Sequence, residues 1–249
     1  MTTRVIGNHV SPYVRKVLVA LGLKCVDYQI DPLVPFFANA AFEKLSPLRR
    51  IPVLMDDQVT LTDSTVICEY LDERYPASPL LPAGPADRAR ARWLEEFADT
   101  RLCDVLIWKL FFQRAIRPAV FGEPTDEAMV AEALDCDLPA IMDYLEGEAP
   151  ADGLLFGDAL SMADIAIACP FKNAIFVRWR PDPARWPRTA AWIGRVLAHD
   201  AFRWLEPFET ACLKTPPAEQ RAALAALGAT IMAESYAADR PRRGIMRIG

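Results

Sequence analysis

The chain has 249 residues, of which 52% are hydrophobic, 10% aromatic and 24% charged, the balance of a globular protein with one large domain or two smaller ones. Its 28 Lys and Arg against 33 Asp and Glu give a formal charge of −5, which argues against a general nucleic-acid binder, since that function needs a basic face. The most apolar stretch, residues 222–233, is too short to cross a bilayer, and the first residues lack the apolar core of a signal peptide. We therefore expect a cytoplasmic protein with neither a nucleic-acid nor a membrane partner.

The first elements in the chain are a short strand and an amphipathic helix. Residues 4–6 (Arg-Val-Ile) predict a short strand, and Gly7-Asn8 ends it. Ser11-Pro12 then begins a helix, because a Ser side chain accepts free amide protons and Pro fits the first helical turn. Apolar residues recur on one face of this helix, which predicts its buried side: Val14, Val17, Leu18 and Leu21.

The pattern then continues with three more strands and two helices. Residues 26–30 alternate in polarity with period two, as in a strand, and residues 40–45 form a short helical piece. Residues 53–61 fit an antiparallel hairpin with a turn at Asp56-Asp57. Asp63-Ser64 then caps a third helix. The predicted order is β-α-β-α-β-β-α, an α/β domain over residues 1–78.

The rest of the chain shows helical patterns alone. Four prolines between residues 76 and 85 are typical of a linker, which we place at residues 79–87. An all-helical C-terminal domain is predicted over residues 88–215, and a C-terminal extension, partly helical or loose, over residues 216–249. The helical patterns are 88–117, which Pro118 closes, then 126–146 with a kink at Pro139, 161–177 with a bend at Pro170, and 189–199. The extension ends in four arginines, Arg240, Arg242, Arg243 and Arg247.

No cluster of side chains has the spacing of a metal site. The two histidines, His9 and His199, are far apart, and the six cysteines are scattered without a Cys-x-x-Cys pair. Glycine-rich phosphate-binding loops are absent as well. We therefore expect no metal, and we expect His9 to be a solvated loop residue because no carboxylate partner is evident.

Four segments together resemble the cytosolic glutathione transferases. Ser11-Pro12-Tyr13-Val14 is similar to the start of the first helix in Ser-type members of that family, and residues 46–54 (SPLRRIPVL) are similar to its Asn-Pro-x-Gly-x-Val-Pro-x-Leu segment. Residues 63–71 (DSTVICEYL) resemble its acidic-Ser helix start, and Ser161-Met162-Ala163-Asp164 resembles the Ser-x-Ala-Asp capping box of its helical domain. The resemblance implies the glutathione transferase fold, a thioredoxin-like domain followed by an all-α domain, with glutathione as co-substrate and a homodimer.

Ser11 is the catalytic residue that this resemblance implies. A Ser-Pro at a helix start is by itself usually only a cap. Lowering the pKa of a thiol by about two units requires roughly 2.7 kcal/mol of preference for the thiolate. A hydroxyl that donates to a charged acceptor contributes about 1.5–3 kcal/mol, and a helix N-terminus adds about 0.3–1 kcal/mol. Ser11 is therefore sufficient to stabilise the glutathione thiolate.

The resemblance also implies how the rest of glutathione is bound. A cis Ile51-Pro52 bond would present the main chain of Ile51 to the cysteinyl residue like an added strand, although such a Pro also simply begins a strand. Asp63 and Ser64 would bind the γ-glutamyl ammonium and carboxylate, or serve only as a cap. Arg50 is the predicted ligand of the glycyl carboxylate, with Arg49 as the alternative. Arg49 replaces a Gly of the family segment, and residues 25–43 lack the basic ligand that many relatives have there.

The second substrate is expected to be a small hydrophobic electrophile. Its predicted pocket contains Val10 and Tyr13 from the first loop and three aromatic residues of the long helix, Trp108, Phe111 and Phe112. Aromatic residues at this spacing are more often ordinary core. The leading hypothesis is a glutathione transferase that conjugates glutathione to this electrophile. Two alternatives stay open: glutathione-dependent β-aryl ether cleavage, because residues 63–71 also resemble the bacterial etherases, and a transferase-like binding protein without catalysis.

Overall fold

The computed structural model describes residues 2–243, and the chain divides into two compact units. The first unit contains the chain up to Ser78 and again from Asp200 onward, and the second runs from Pro79 to His199. Arg247, the last of the four arginines expected in a basic C-terminal end, lies outside the described residues.

A four-stranded mixed sheet forms the centre of the first unit. Its strands are β1 (Thr3–Ile6), β2 (Tyr28–Asp31), β3 (Val53–Met55) and β4 (Thr60–Thr62), in the order β2-β1-β3-β4. The β1–β2 pair is parallel, so it needs a crossover helix, whereas β3 is antiparallel to both β1 and β4. The expected hairpin is therefore confirmed, and its turn is closed by the Asp56 side chain, which accepts hydrogen bonds from the amides of Gln58 and Val59.

Helices α1 (Pro12–Leu23) and α2 (Ala40–Leu45) connect the strands, and α3 (Ser64–Arg74) follows β4. The predicted apolar stripe of α1 is fully buried, and α1 packs against α3. A single 3₁₀ turn, Pro35–Phe37, leads from β2 towards α2. The predicted order β-α-β-α-β-β-α is confirmed.

The second unit is built from helices alone. Helix α4 (Pro85–Phe97) continues in wider π-type turns over Ala98–Leu102 and Asp104–Ile116 into α5 (Arg117–Phe121). Helix α6 (Glu127–Glu132) continues similarly over Ala133–Asp137 into α7 (Leu138–Glu148), and α8 (Met162–Phe176) and α9 (Pro187–Leu197) follow. Within residues 2–243, no helix combines the length and the apolar character needed to cross a membrane.

Two prolines that were expected to shape the helices of the second unit lie within helical segments, and the bends predicted at Pro139 and Pro170 stay predictions. Pro118 is predicted to close the first helical pattern, but the helix continues past it as α5 and ends at Gly122, whose φ of +66° forms the left-handed C-cap. Pro170 lies inside α8, which is helical on both sides of it. The predicted capping box of α8 is present, since Ser161 Oγ accepts from the amide of Asp164 and the Asp164 carboxylate accepts from the amide of Ser161.

The chain from Asp200 onward returns to the first unit as α10 (Asp200–Arg203), α11 (Glu206–Lys214) and α12 (Gln220–Ala226). Beyond α12, Ile30 donates to the carbonyl of Thr230 at 2.9 Å, and Met232 donates back to the carbonyl of Ile30 at 3.0 Å. This segment therefore covers the outer edge of β2, which would otherwise present unpaired main-chain groups. The expected boundary at residue 215 stays a prediction, and the observed packing places residues 200–243 beside the sheet.

Candidate functional site

Three of the predicted motifs meet at one end of the sheet. The strand register aligns Ile6 with Val53 and Val53 with Thr62. Three segments therefore lie at the same end of the sheet: the loop that follows β1, the Ile51-Pro52 segment that precedes β3, and the Asp63-Ser64 segment that follows β4. Antiparallel pairing thus brings together residues that are about fifty positions apart in the chain.

Ser11 is the N-terminal capping residue of α1. Its Oγ accepts from the amide of Val14 at 3.4 Å, its own N–H donates to the carbonyl of Asn8 at 2.9 Å, and its backbone is extended (φ −67°, ψ 129°). Because the hydroxyl oxygen is the acceptor in the cap, the hydroxyl hydrogen is available to donate to an anion. Ser11 is half-buried at the positive end of the α1 dipole.

The loop before Ser11 approaches the Ile51-Pro52 segment closely at Gly7. A Cβ on Gly7 would lie 2.4 Å from Cγ2 of Val14 and 3.4 Å from Cβ of Ile51. Only glycine fits this approach, so Gly7 allows the first turn of α1 and the start of β3 to lie side by side.

The Ile51-Pro52 peptide bond is cis, as the resemblance implied, and both residues are buried. Ser46 holds the main chain of Arg50, the residue before Ile51. The Ser46 Oγ donates to the carbonyl of Arg50 at 2.8 Å and accepts from the amide of Arg50 at 3.0 Å. Within residues 2–243, neither the N–H nor the C=O of Ile51 makes a hydrogen bond. Its main chain can therefore pair with an extended ligand.

Asp63 and Ser64 stand at the N-terminus of α3. Asp63 Oδ1 accepts from the amides of Thr65 at 2.9 Å and Val66 at 3.2 Å, so the predicted cap is confirmed. Asp63 is exposed and has φ +80°, a left-handed conformation that costs a non-glycine residue about 1–3 kcal/mol. Such strain is concentrated at functional sites. Lys16 of α1 donates to Oγ1 of Thr65 at 3.2 Å, which links the start of α3 to α1.

The two arginines before Ile51 differ in their surroundings. The Arg50 side chain is exposed. Arg49, where the family segment has Gly, has φ +53°, a left-handed conformation that favours Gly and is adopted here by an Arg. Nε of Arg49 lies 3.6 Å from the carboxylate of Glu43, which also contacts Arg242 at 2.6 Å. Arg242 of the C-terminal segment therefore places a cation beside α2, although residues 25–43 contain no Lys, Arg or His.

The predicted electrophile residues belong to different units. In the first unit, Val10 is buried and Tyr13 is half-buried, one on each side of the Ser11-Pro12 pair. In the second unit, Trp108 is half-buried, and its ring centre lies 5.9 Å from that of Phe112. Two of the predicted residues are packed as core: Phe111 against Phe176 and Phe112 against Phe121.

His9 corrects one expectation, because it is a buried residue and not a solvated one. It is 2% exposed and stacks on Phe208 of α11 with ring centres 5.3 Å apart. Burial, and then the charge of Arg15, lower the pKa of His9 from 6.5 to about 4. The imidazole is therefore neutral near pH 7. Burial also raises the pKa of the neighbouring Cys212 thiol to about 12, which makes it unreactive.

Other residues around Ser11 were not predicted from the sequence. Asn8 and Gln220 form a buried hydrogen bond of 2.7 Å, and Arg15 of α1 pairs with Glu209 of α11 in a buried ion pair. The Asn8–Gln220 partners are 212 positions apart, so no local pattern indicates them. Asn8 alone had a recognisable context, an Asn in the turn just before a Ser-Pro helix start.

Within residues 2–243, no group of three or more His, Cys, Asp or Glu side chains is arranged to hold a metal ion. The chemistry that the described arrangement offers is hydrogen bonding: a hydroxyl at a helix start, an open main chain at Ile51, and a carboxylate at the start of α3.

The fold and the motifs have clear counterparts among known proteins. The protein-family model of the glutathione S-transferase N-terminal domain matches residues 5–79 of this chain, and the family model of the C-terminal domain matches residues 129–195. Glutathione transferase GST 23 of Zea mays is 30% identical over 213 residues, which are 80% of this chain and 87% of the maize protein. The uncharacterized GST-like protein YibF of Escherichia coli (strain K12) is 26% identical over 209 residues, 82% of this chain and 98% of its own.

A solved structure agrees with these sequence relatives. The glutathione S-transferase from Rhodospirillum rubrum F11 superposes with a TM-score of 0.75 at 28% identity, covering 82% of this chain and 91% of its own. The thioredoxin-like unit followed by helices is therefore confirmed as the glutathione transferase fold. The chain belongs to the glutathione S-transferase family.

Proposed function

We propose that the protein is a glutathione transferase in which the Ser11 hydroxyl donates a hydrogen bond to the glutathione sulfur and stabilises its thiolate. The observation that supports this most is the position of Ser11. It caps α1 at the same end of the sheet as the start of α3 and as Ile51, whose main-chain N–H and C=O have no partner within residues 2–243. The hydroxyl and the helix dipole act on the same atom, and together they supply about 2–4 kcal/mol, which covers the roughly 2.7 kcal/mol that a shift of two pKa units requires.

The remaining contacts follow from the length and charges of the tripeptide. The cysteinyl main chain pairs with the N–H and C=O of Ile51, beside Pro52. The γ-glutamyl carboxylate lies at the N-terminus of α3 near Ser64, and its ammonium binds Asp63, whose carboxylate is exposed. The glycyl carboxylate binds Arg50, an exposed cation next to Ile51.

The second substrate is a small hydrophobic electrophile, and the reaction is its conjugation. Val10 and Tyr13 flank the Ser11-Pro12 pair and contact this substrate on the first unit. The contribution of Trp108, Phe111 and Phe112 stays a prediction. A homodimeric, cytoplasmic enzyme is the further expectation from family membership.

Glutathione binding by calorimetry, with the thiolate followed by its ultraviolet absorbance, tests this proposal. Wild type should bind glutathione and release a proton near neutral pH. Ser11→Ala should still bind, but the pKa of the bound thiol should rise by about one to two units because the hydroxyl donor is gone. Ser161→Ala is the matched control, since it removes a Ser cap from α8 and should leave the thiol pKa unchanged.

Two results would contradict the proposal. If glutathione fails to bind at millimolar concentration, the protein is a transferase-like binding protein, and protein partners should be sought. If it binds but Ser11→Ala leaves the thiol pKa unchanged, another group activates the sulfur. When the first test succeeds, a screen of aryl halides against aryl ethers decides between conjugation and ether cleavage.

A further inference from the structure

The loop that precedes Ser11 takes its shape from the Asn8 side chain. Oδ1 of Asn8 accepts from the amide of Val10 at 3.1 Å, and the carbonyl of Asn8 accepts from the amide of Ser11 at 2.9 Å. These two bonds close consecutive turns, so the side-chain torsions of Asn8 determine where Ser11 begins α1.

Gln220 at the start of α12 and the carbonyl of Pro32 together orient that Asn8 amide, because its Nδ2 donates to Gln220 Oε1 at 2.7 Å and to the Pro32 carbonyl at 3.3 Å. Nε2 of Gln220 donates to the carbonyls of Cys212 at 2.8 Å and Thr215 at 3.0 Å, which are unsatisfied groups at the C-terminal end of α11. Because the carbonyl oxygens of Cys212 and Thr215 can only accept, the nitrogen of the Gln220 amide must face them. Its Oε1 consequently faces Asn8 and accepts from Nδ2 at 2.7 Å. Asn8 and Gln220 are 6% and 3% exposed, so water does not substitute for these partners.

Helix α11 contacts the chain on both sides of Ser11. His9, two residues before Ser11, stacks on Phe208, and Arg15, four residues after it, pairs with Glu209. The chain after Asp200 therefore surrounds the Ser11 loop with one aromatic contact, one ion pair and one oriented amide.

We infer that Gln220, acting through Asn8, is a positioning residue that presents the Ser11 hydroxyl to the glutathione sulfur. This inference rests on the proposed function of Ser11. A hydrogen bond to a thiolate loses strength steeply with angle and distance, so a loop that is free to relax donates less effectively. The C-terminal helices thereby determine the reactivity of the sulfur without touching glutathione.

The test compares Gln220→Met, which keeps the side-chain length but removes the amide, with wild type in the full chain. We expect the pKa of the bound glutathione thiol to rise by about one unit, as the loss of one oriented hydrogen bond predicts. The dissociation constant of glutathione should change by less than about threefold, because Ile51, Asp63 and Arg50 are unaffected. Asn8→Ala should have the same effect, and the double variant should add nothing to it.

Thr189→Val is the matched control for lost stability. It removes a hydrogen bond of 2.8 Å to Glu146 from a buried residue of the second unit, so it should lower thermal stability but leave the thiol pKa unchanged. The inference is wrong if Gln220→Met folds and keeps the wild-type thiol pKa, or if Thr189→Val shifts that pKa equally. Should Gln220→Met fail to fold, Asn8→Ala is judged by the same criteria.

Ser11→Ala, measured in parallel, separates the two proposals. If it leaves the thiol pKa unchanged, the role of Ser11 fails and this inference fails with it. If Ser11→Ala raises the thiol pKa and neither Gln220→Met nor Asn8→Ala does, the role of Ser11 stands and only the positioning role of Gln220 is overturned.

Discussion

Acidification should destabilise this protein through His9, because burial keeps the His9 imidazole neutral in the folded state. The pKa of His9 is about 4 in the folded protein against 6.5 for an unperturbed histidine. Since the folded pKa is depressed, the stabilisation is fully present above pH 6.5 and is lost as the pH falls towards the folded pKa. The unfolded chain takes up the proton first, and each further decrease in pH favours unfolding.

The two pKa values give the size of this effect. Relative to pH 8, the titration of His9 removes about 2 kcal/mol of unfolding free energy by pH 5 and about 3 kcal/mol by pH 4. The charge of Arg15 works in the same direction as burial, because it repels an imidazolium. Within residues 2–243, Nδ1 of His9 has no hydrogen-bond partner, so that atom has no acceptor for an added proton.

Urea unfolding of wild type and His9→Phe at pH 8, 6, 5 and 4 measures the effect. Phe keeps the stacking on Phe208 and does not titrate, so every other carboxylate and histidine contributes equally to both proteins. The difference in unfolding free energy should move in favour of His9→Phe by about 2 kcal/mol at pH 5. A difference that is the same at all four pH values would refute the reasoning, because it would mean that His9 is protonated equally in both states.

Three further outcomes follow from single features of the first unit. Arg221→Met should cost about 3–5 kcal/mol in urea unfolding, because it leaves the buried Asp31 carboxylate without its ion-pair partner at 2.6 Å, and Asp31→Asn should restore part of that loss. Gly7→Ala should abolish glutathione binding or folding, as judged by calorimetry and circular dichroism, since its methyl group would lie 2.4 Å from Val14. Arg49→Val should lower the unfolding free energy by about 1–2 kcal/mol, whereas Arg49→Gly should be at least as stable as wild type; equal stability of the two variants would contradict the argument from φ +53°.

The elements of the fold were predictable where neighbouring residues cooperate. Ser11-Pro12 and the apolar stripe after it define α1 within a dozen positions, and Ser161 with Asp164 defines the start of α8 within four. Side-chain caps and helical periodicity act over one or two turns, so they are recorded directly in the order of residues. The sequence motifs at Ile51-Pro52 and Asp63-Ser64 indicated the family for the same reason.

The surroundings of Ser11 were decided by tertiary structure. Nothing near His9 in the chain distinguishes a solvated loop residue from one stacked on Phe208, and nothing near Asn8 indicates Gln220, its partner 212 positions away. Asp31 likewise receives its ion pair from Arg221 after the chain has passed through the whole second unit. By itself the sequence therefore determined the helices, the strands and the family motifs. Packing of α11 and α12 against the first unit decided which polar groups are buried and paired, because burial depends on distant surfaces that meet only in the folded chain.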